Sequence, residues 1–401
     1  MKLFGEERRR FLEQQRDLKM ARSAHAYVRG NTVKFYKWLA ESRSAARLPQ
    51  GPAVWICGDC HLGNLGPIAD GDGKVDIQIR DLDQTVIGNP AHDLIRLGLS
   101  LATAARGSDL PGVTTARMVE EMVQGYELAL ADQHAPTDVP AFEPDVVRAV
   151  RRRSLGRKWR HLAQERLTDV ELEIPLGKKF WAPSDKEREA LERLFEAPEV
   201  HELVLSLNDR GEDDKVRLLD AAYWIKGCSS LGTLRFAALL AIGGSKRQPD
   251  QIALIDLKEA VASAAPATSG KAMPDDYAER VVTGARALAP NLGDRMLATT
   301  LLGRSIVLRE LTPQDLKLEV AQFTRSEATK AARYLAYVVG KAHARQMNHE
   351  QQKEWSHTLA RQRGGGIDAP SWLWGSVVDL SGDHEKGYLE HCRRFALSSA
   401  A

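Results

Sequence analysis

The stretches VWICGDCHLGN (residues 54–64) and QIRDLDQTVIGNPAHDL (residues 78–94) contain three side chains that can bind a metal ion, Asp59, Asn64 and Asp81. Carboxylate and amide oxygens are hard ligands of the kind that Mg²⁺ prefers. A phosphoryl-transfer site of the protein-kinase type needs one aspartate to orient the acceptor hydroxyl, followed by an asparagine and a second aspartate for the metal. The order and spacing of the three residues therefore predict such a site.

The residues before Asp81 predict that the chain folds back toward the first motif. Residues 70–73, Asp-Gly-Asp-Gly, indicate a turn, and residues 75–79 alternate as a short strand that ends next to Asp81. We expect Asp81 to face back toward the first motif from the end of this strand. Farther along, Pro90 begins an amphipathic helix with Asp93 in its first turn, where a carboxylate can accept hydrogen bonds from loop amides.

Cys57 and Cys60 form a C-x-x-C motif, which is typical of a redox pair or of half a zinc site. A redox motif opens a helix at once, whereas the segment that follows is rich in glycine, proline and aspartate. A zinc site needs further ligands, and the remaining cysteines, Cys228 and Cys392, each stand alone. Two half-buried thiols are the favoured interpretation, with redox and zinc roles as the alternatives.

Four segments carry a resemblance to known proteins: AHAYVRG (residues 24–30), GDCHLGN, RDLDQTVIGNPAHDLIRL and GCSSLGT. They resemble the signature blocks of an uncharacterised, mainly bacterial family of unknown function in the protein-kinase-like superfamily. More distantly, they are similar to the aminoglycoside phosphotransferases, whose catalytic loop reads H-G-D-x-x-x-x-N. The blocks span nearly the whole chain.

The resemblance implies a role for individual residues. Asp59 matches the catalytic aspartate, and Asn64 and Asp81 match the magnesium ligands. Asp83 matches the second acid of the D-x-[DE] triplet. Cys57 departs from the histidine that is usual in the related loop. Supporting roles fall to His61, Asp93 and Arg29.

The nucleotide-binding part is predicted downstream of these motifs. Residues 216–240 indicate two strands joined by a glycine turn that keeps the outer spacing of a G-x-G-x-x-G loop, whose amides can approach phosphates closely. The strand over residues 251–260 carries Lys258, which resembles the V-A-I-K lysine that contacts nucleotide phosphates. The next helix offers Glu279 as the partner of Lys258. The predicted cofactor-binding residues are Gly227, Ser229, Ser230, Gly232, Lys258 and Glu279.

The order of these parts indicates a circular permutation. Only 58 residues precede Asp59 and they look helical, whereas in kinases the nucleotide-binding lobe comes before the catalytic loop. The helix over residues 326–346 resembles the one that precedes the catalytic loop, with His343 near its end. Chain ends can move in this way when they lie close together at the surface. We therefore predict an α+β, protein-kinase-like two-lobed fold, circularly permuted, with a mostly helical large lobe and a small antiparallel-sheet lobe.

The predicted boundaries follow from this arrangement. Residues 1–210 form the helical lobe with the catalytic and metal-binding loops (54–94), and residues 211–323 form the nucleotide-binding small lobe. Residues 324–401 form the return helix and a helical tail that packs on the large lobe. Further strands are predicted over residues 295–302 and 305–311, and amphipathic spacing predicts helices over residues 6–20, 32–42, 114–133, 186–207 and 385–396.

Two cationic features allow more than one interpretation. Arg29 lies between two predicted helices, where a structural ion pair is favoured over the binding of a carboxylate or phosphate. Residues 147–160, VRAVRRRSLGRKWR, form a basic helical stretch, and such a stretch is usually a solvated helix face. If it is functional, it borders the acceptor site. The formal net charge of +2 for the whole chain argues against a nucleic-acid partner.

Composition fits a cytoplasmic enzyme. With 43% hydrophobic and 27% charged residues, the chain can bury a core of one large domain or two smaller ones. The first residues, MKLFGEERRRFLEQQRDLKMARS, are too charged for a signal peptide, and no apolar run approaches the roughly 20 residues of a membrane span. We expect no membrane partner.

The motifs together predict an ATP- and Mg²⁺-dependent phosphotransferase that acts on a hydroxyl group of a small molecule or a protein. One alternative is transfer of AMP, because an altered glycine loop can bind ATP in the reverse orientation. The other is a catalytically silent nucleotide-binding module, although the presence of Asp59, Asn64 and Asp81 together argues against it.

Overall fold

The computed structural model describes residues 3–131, 140, 142–166, 173–207, 210–228, 230–243, 250–316, 318, 324–361, 363 and 366–398. These residues form an α+β protein in which every pairing between strands is antiparallel. The strands are β1 (Val54–Ile56), β2 (Leu65–Ala69), β3 (Val75–Ile79), β4 (Val86–Gly88), β5 (Phe180–Trp181), β6 (Lys215–Trp224), β7 (Arg235–Gly243), β8 (Gln251–Glu259), β9 (Met296–Leu301) and β10 (Arg304–Leu311).

Helices make up most of the remaining regular structure. They are α1 (Gly5–Met20), α2 (Ala24–Gly30), α3 (Thr32–Glu41), α4 (Ala91–Gly107), α5 (Gly112–Ala131), α6 (Asp145–Leu155), α7 (Trp159–Arg166), α8 (Asp185–Phe195), α9 (Pro198–Leu205), α10 (Tyr277–Leu288), α11 (Pro290–Gly293), α12 (Arg325–Ala344), α13 (His349–Arg361) and α14 (Ser371–Ser398).

The largest sheet has the strand order β5-β6-β7-β8-β10-β9. Its central strands are apolar over most of their length because both faces of the sheet are covered. One face packs against α8 and α9, where Leu191, Phe236 and Ile255 are fully buried. The opposite face carries the charged side chains of the candidate site, and the register places Arg235 opposite Lys258 on neighbouring strands.

The main hydrophobic core lies among α4, α5, α12 and α14 and the short strands β1 to β4. Glycines let α5 and α12 approach closely. A Cβ atom added to Gly125 would lie 1.9 Å from the carbonyl oxygen of Arg333, and one added to Gly340 would lie 3.0 Å from that of Tyr126. The two helices can therefore cross at this distance only with glycine at position 125.

Most predicted elements match the structure, including β3, β6, β8, β10, α1 and α3. The helix predicted over 186–207 is instead two helices, because Pro198 begins α9 and lacks the N–H that would continue α8. Both helices pack on the sheet and not with the helical core. Residues 132 and 133 of another predicted helix lie outside the described residues, and the tail helix α14 is longer than predicted.

Two more predictions differ in detail. The segment around Arg29 is not a connection between helices but the short helix α2, which the Ser23 side chain caps by accepting from the Ala26 N–H. The basic stretch over 147–160 is interrupted, because α6 ends at Leu155 and Gly156 follows it. A separate helix, α7, begins at Trp159.

Candidate active site

Helix α4 positions the loop that carries Asp59. The Asp93 carboxylate, fully buried in the first turn of α4, accepts hydrogen bonds from the backbone N–H groups of Cys57 (2.7 Å) and Gly58 (2.9 Å). The Tyr36 hydroxyl donates to the Gly58 carbonyl oxygen at 2.6 Å. Gly58 itself has a φ of +75°, and a Cβ there would lie 2.1 Å from the Gln84 carbonyl oxygen. These contacts fix the backbone on which Asp59 stands.

Asp59 is oriented by an arginine that the sequence analysis missed. The Arg96 Nε atom donates to Asp59 Oδ1 at 2.8 Å, and its Nη2 atom donates to the Val28 carbonyl oxygen at 2.6 Å. Arg96 is fully buried. It follows Asp93 by three positions, so both side chains lie on the same side of α4. Two charged residues at that spacing within an apolar helix face were the signal in the sequence.

Asn64 connects this loop to the Asp81 segment. Its Nδ2 atom donates to the carbonyl oxygens of Asp81 (2.7 Å) and Asp59 (3.3 Å). This orientation of the amide leaves the Asn64 Oδ1 atom available to bind a metal ion. The Cys57 thiol also bridges the two segments by donating to the Asp81 carbonyl oxygen at 3.7 Å.

Asp81 and Asp83 contact Lys258 near the end of the interior strand β8. Lys258 Nζ lies 3.2 Å from Asp81 Oδ1 and also forms an ion pair with Asp83. Burial and the neighbouring Asp81 raise the pKa of Asp83 to about 6. Burial opposes ionisation of Asp81 as well, but the charge of Lys258 outweighs it and lowers the pKa of Asp81 well below its ordinary value. The two carboxylates in turn overcome burial and raise the pKa of Lys258.

The expected partnership between Lys258 and Glu279 is not present. Glu279 is exposed on α10, and the ion pairs of Lys258 are those with the two aspartates. The neighbouring residue, Arg280, is a buried side chain of α10. It donates to the carbonyl oxygens of Asp83 (3.0 Å) and Val261 (2.9 Å), and also to that of Thr85. Through Arg280, helix α10 therefore contacts backbone oxygens of the segment that follows Asp81.

The glycine turn joins β6 to β7 beside the same site. Gly227 has a φ of +89° and Gly232 a φ of +102°, conformations that favour glycine at both positions. The Ser230 hydroxyl donates to the Lys226 carbonyl oxygen at 3.2 Å. Ser229 lies outside the described residues. Helix α1 contacts the turn, since Lys19 Nζ donates to the Gly227 carbonyl oxygen at 3.1 Å.

A relay of buried hydrogen bonds leads from Trp355 through Tyr126 and His343 to Asp93. His343, near the end of α12, places Nε2 3.2 Å from Asp93 Oδ2 and Nδ1 2.9 Å from the Tyr126 hydroxyl. The Trp355 Nε1–H donates to the same hydroxyl at 3.2 Å. Because a carboxylate accepts, His343 donates its Nε2–H to Asp93, and in the neutral ring Nδ1 then accepts from the Tyr126 hydroxyl.

The end of α12 is also tied directly to the strand that leads into the Asp59 loop. Trp55 in β1 donates its backbone N–H to the Gln346 side-chain oxygen at 2.8 Å, and the Gln346 amide donates back to the Trp55 carbonyl oxygen at 3.1 Å. The two segments are 291 positions apart in the sequence.

His61, Cys57 and Cys60 are buried and uncharged. Burial lowers the pKa of His61 to about 4, although Asp59, with its Oδ2 atom 3.9 Å from His61 Nε2, partly opposes the shift. Burial raises the pKa of Cys57 far above its ordinary value, and that of Cys60 is raised as well. Both cysteines are free thiols, more deeply buried than predicted.

Asp59, Asn64 and Asp81 share one cavity with the glycine turn. The cavity has a volume of about 530 Å³, and Gly227 and Ser230 contribute to its opposite wall. Lys258 and Asp83 line an adjoining smaller cleft together with Asp81. The described residues of the two sequence regions therefore meet, with the exceptions of Glu279 and of Gly232, which faces Glu13 and the Arg9 backbone of α1.

The oxygen donors fit a magnesium ion better than a transition metal. Asp81 and Asp83 supply carboxylates and Asn64 supplies an amide oxygen, a set that suits a hard cation which keeps several waters and binds substrate phosphates. In the described part of the chain, no three His, Cys, Asp or Glu side chains cluster as a metal site.

The six-stranded antiparallel sheet, the helical core and the polar cavity between them define a large α+β protein. The chain belongs to a family of uncharacterized proteins conserved in bacteria (DUF2252), whose family model matches residues 10–394. No curated protein and no solved structure matches the chain. Each helix in the described ranges is too short or too polar to cross a membrane.

Proposed function

We propose that this protein is an ATP- and Mg²⁺-dependent phosphotransferase with a two-lobed kinase-like fold, and that it phosphorylates a hydroxyl group of a small molecule or a protein. The observation that carries the proposal is the contact between Lys258 and Asp81, which are 177 positions apart in the sequence and 3.2 Å apart at Nζ and Oδ1. In a kinase site a strand lysine and a metal-binding aspartate lie close together because both act on the nucleotide phosphates, the aspartate through its metal ion.

A circular permutation accounts for the order of the parts. The reciprocal hydrogen bonds between Gln346 and Trp55 put the end of α12 next to the start of the Asp59 loop. In an unpermuted kinase the chain would run directly from that helix into that loop. The contact between His343 and Asp93 supports the same continuation.

The chemistry assigned to the site follows from its contacts. Arg96 holds Oδ1 of Asp59, so Oδ2 accepts the proton of the acceptor hydroxyl. The acceptor oxygen forms a bond to the γ-phosphorus, the bond from that phosphorus to the bridging oxygen breaks, and ADP leaves. Asn64 and Asp81 would hold Mg²⁺, which neutralises charge on the phosphate oxygens.

Lys258 connects nucleotide binding to this geometry. Without nucleotide it forms ion pairs with both Asp81 and Asp83. Nucleotide phosphates would compete for the same ammonium group, while the accompanying cation would take its place beside the carboxylates. Backbone amides of the turn that contains Gly227 and Ser230 are the other phosphate-binding groups.

Labelled ATP tests the proposal. We expect the γ-phosphate to be transferred to a product when the protein is incubated with Mg²⁺ and an extract of bacterial metabolites. Asp59→Asn should lower the rate by at least about 10²-fold, because it removes the proton acceptor. Asp213→Asn, a change of the same kind at an exposed position, is the control.

The alternative functions give different results. Transfer of the α-phosphate label as AMP would indicate a nucleotidyl transferase. A rise in melting temperature with Mg²⁺ and ATP, without any labelled product, would indicate a silent nucleotide-binding module. Absence of both transfer and thermal shift at millimolar ATP would contradict every nucleotide-dependent function.

A further inference from the structure

The main cavity carries a strong excess of positive charge. Nine lysine or arginine side chains and three aspartates line it, although the whole chain has a formal net charge of only +2. The excess is therefore local, and the rest of the chain is net negative. A cleft that is lined by one sign of charge concentrates ligands of the opposite sign.

Part of this charge is compensated inside the protein. Arg235 forms two hydrogen bonds to the buried Asp256 carboxylate, at 2.9 and 2.6 Å. Arg309 and Lys226 lie 3.4 and 3.7 Å from the same carboxylate. Together they hold the pKa of Asp256 well below its ordinary value in spite of burial. This group of cations belongs to the structure of the sheet.

Three other cations of the cavity lack a counter-ion. Arg29, Arg153 and Lys179 all line the cavity, and within the described ranges none of them forms an ion pair with a carboxylate. The structural ion pair expected for Arg29 is therefore absent. Its guanidinium lies against the Asp59 loop, where a Cβ on Gly63 would be 3.1 Å from Arg29 Cζ.

The three cations come from separate parts of the chain. Arg29 belongs to α2, Arg153 to α6, and Lys179 lies directly before β5. Their arrival at one cavity is not a consequence of helix periodicity, unlike a charged stripe on a single helix. Of the basic stretch 147–160, Arg153 and Arg157 reach the cavity, whereas Arg148 and Arg151 form ion pairs with Glu143.

We propose, on the basis of the phosphotransferase function above, that the acceptor is a small hydroxyl compound that already carries a phosphate group. Arg29, Arg153 and Lys179 bind this phosphate, while the free hydroxyl lies at Asp59. A phosphate monoester has about two negative charges and three acceptor oxygens, so it can contact cations from several directions, whereas a carboxylate has two oxygens. A polycationic acceptor of the aminoglycoside type would be repelled.

Inorganic phosphate is a direct probe of this subsite. We expect a phosphorus NMR titration of the protein, saturated with Mg²⁺ and the non-hydrolysable analogue AMP-PNP, to show binding of added phosphate. Arg29→Gln and Arg153→Gln should each weaken that binding roughly tenfold, the usual loss for a charge-assisted hydrogen bond. Arg152→Gln changes the adjacent exposed arginine, which does not line the cavity, and should have no effect.

The outcomes separate this proposal from the function on which it rests. Binding of AMP-PNP without binding of phosphate would overturn the phosphate subsite alone, and so would equal losses for Arg152→Gln and Arg153→Gln. Binding of phosphate without AMP-PNP would support the subsite and contradict the nucleotide-dependent function. Displacement of phosphate by an acidic peptide but not by glycerol 3-phosphate would assign the cavity to a protein acceptor and overturn the proposal.

Discussion

Asp59 depends on residues outside its own loop for its orientation. Asp93 positions the backbone of the two residues before Asp59, and Arg96 positions one oxygen of the Asp59 carboxylate. Because both residues stand on α4, a single helix controls where the loop and the side chain lie. Arg96 is fully buried, so its hydrogen bond to Oδ1 also fixes the position of the other carboxylate oxygen, Oδ2.

Arg96→Met is expected to separate catalysis from nucleotide binding. Loss of the guanidinium frees the Asp59 side chain, and a misplacement of about 1 Å can cost about 10²-fold in rate. We expect kcat to fall by that amount, while the thermal shift with Mg²⁺ and ATP is kept. The control is Arg106→Met on the same helix, which breaks only an exposed ion pair with Glu385. Equal loss of nucleotide binding in Arg96→Met would show that the arginine has a general structural role.

Individual site residues could be predicted from sequence when they belong to a short motif. Asp59, Asn64 and Asp81 lie in short motifs with fixed spacing, so their proximity was predictable. Arg96 was missed because an arginine in an apolar helix gives no indication of its partner. The Glu279 prediction was wrong because two aspartates lie closer to Lys258, and their combined charge makes them its partners.

The elements of the fold depend on a few close approaches. Helices α5 and α12 cross where Gly125 faces the backbone of Arg333. The relay from Trp355 through Tyr126 and His343 to Asp93 runs through this helix pair. The packing of α5 on α12 therefore supports the candidate active site as well as the core.

Gly125→Ala is expected to destabilise the protein by about 3 kcal/mol or more, because the added methyl group would overlap a backbone carbonyl that cannot move alone. Gly382→Ala in α14 is the matched control. No atom lies within 4 Å of the added Cβ there, so the change should stabilise the helix by up to about 1 kcal/mol. Urea unfolding measures both. A loss in Gly382→Ala as large as that in Gly125→Ala would contradict the packing of α5 on α12.

Periodicity predicted the existence of most elements but not how they associate. The apolar spacing of residues 186–207 indicated helix correctly, yet it could not show that the sheet, and not the helical core, covers that face. Pro198 was a visible signal for the break between α8 and α9. Pairings such as Gln346 with Trp55 join segments that no local pattern relates.

The whole molecule assembles its cavity from distant parts of the chain. Helix α1 reaches the glycine turn through Lys19, α2 supplies Arg29, and β8 supplies Lys258 to the adjoining cleft. Several buried histidines also make the folded state sensitive to acid. Burial lowers the pKa of His61 and His92 to about 4 and that of His384 to about 3.

The sign of the pH dependence follows from these shifts. Below pH 6.5 the unfolded chain takes up protons that the buried histidines cannot bind, so the free energy of unfolding falls as the pH is lowered from 7 toward 4. His384→Gln should reduce the loss between pH 7 and pH 5 by about 2 kcal/mol. Urea unfolding at both pH values measures it, with exposed His357→Gln as the control. An identical loss of unfolding free energy in wild type and His384→Gln would contradict the lowered pKa of His384.

The central claim is that Asp81 and Lys258 form one nucleotide site from two distant regions of the chain. Calorimetric titration of Mg²⁺ and AMP-PNP into the wild-type protein and the Asp81→Asn, Lys258→Met and Asp59→Asn variants tests it most directly. The wild type and Asp59→Asn are predicted to bind one nucleotide each, and the other two variants are predicted to bind at least about tenfold more weakly, the loss of a charge-assisted contact. Equal affinity in all four proteins, or no binding by the wild type at millimolar nucleotide, would contradict the account.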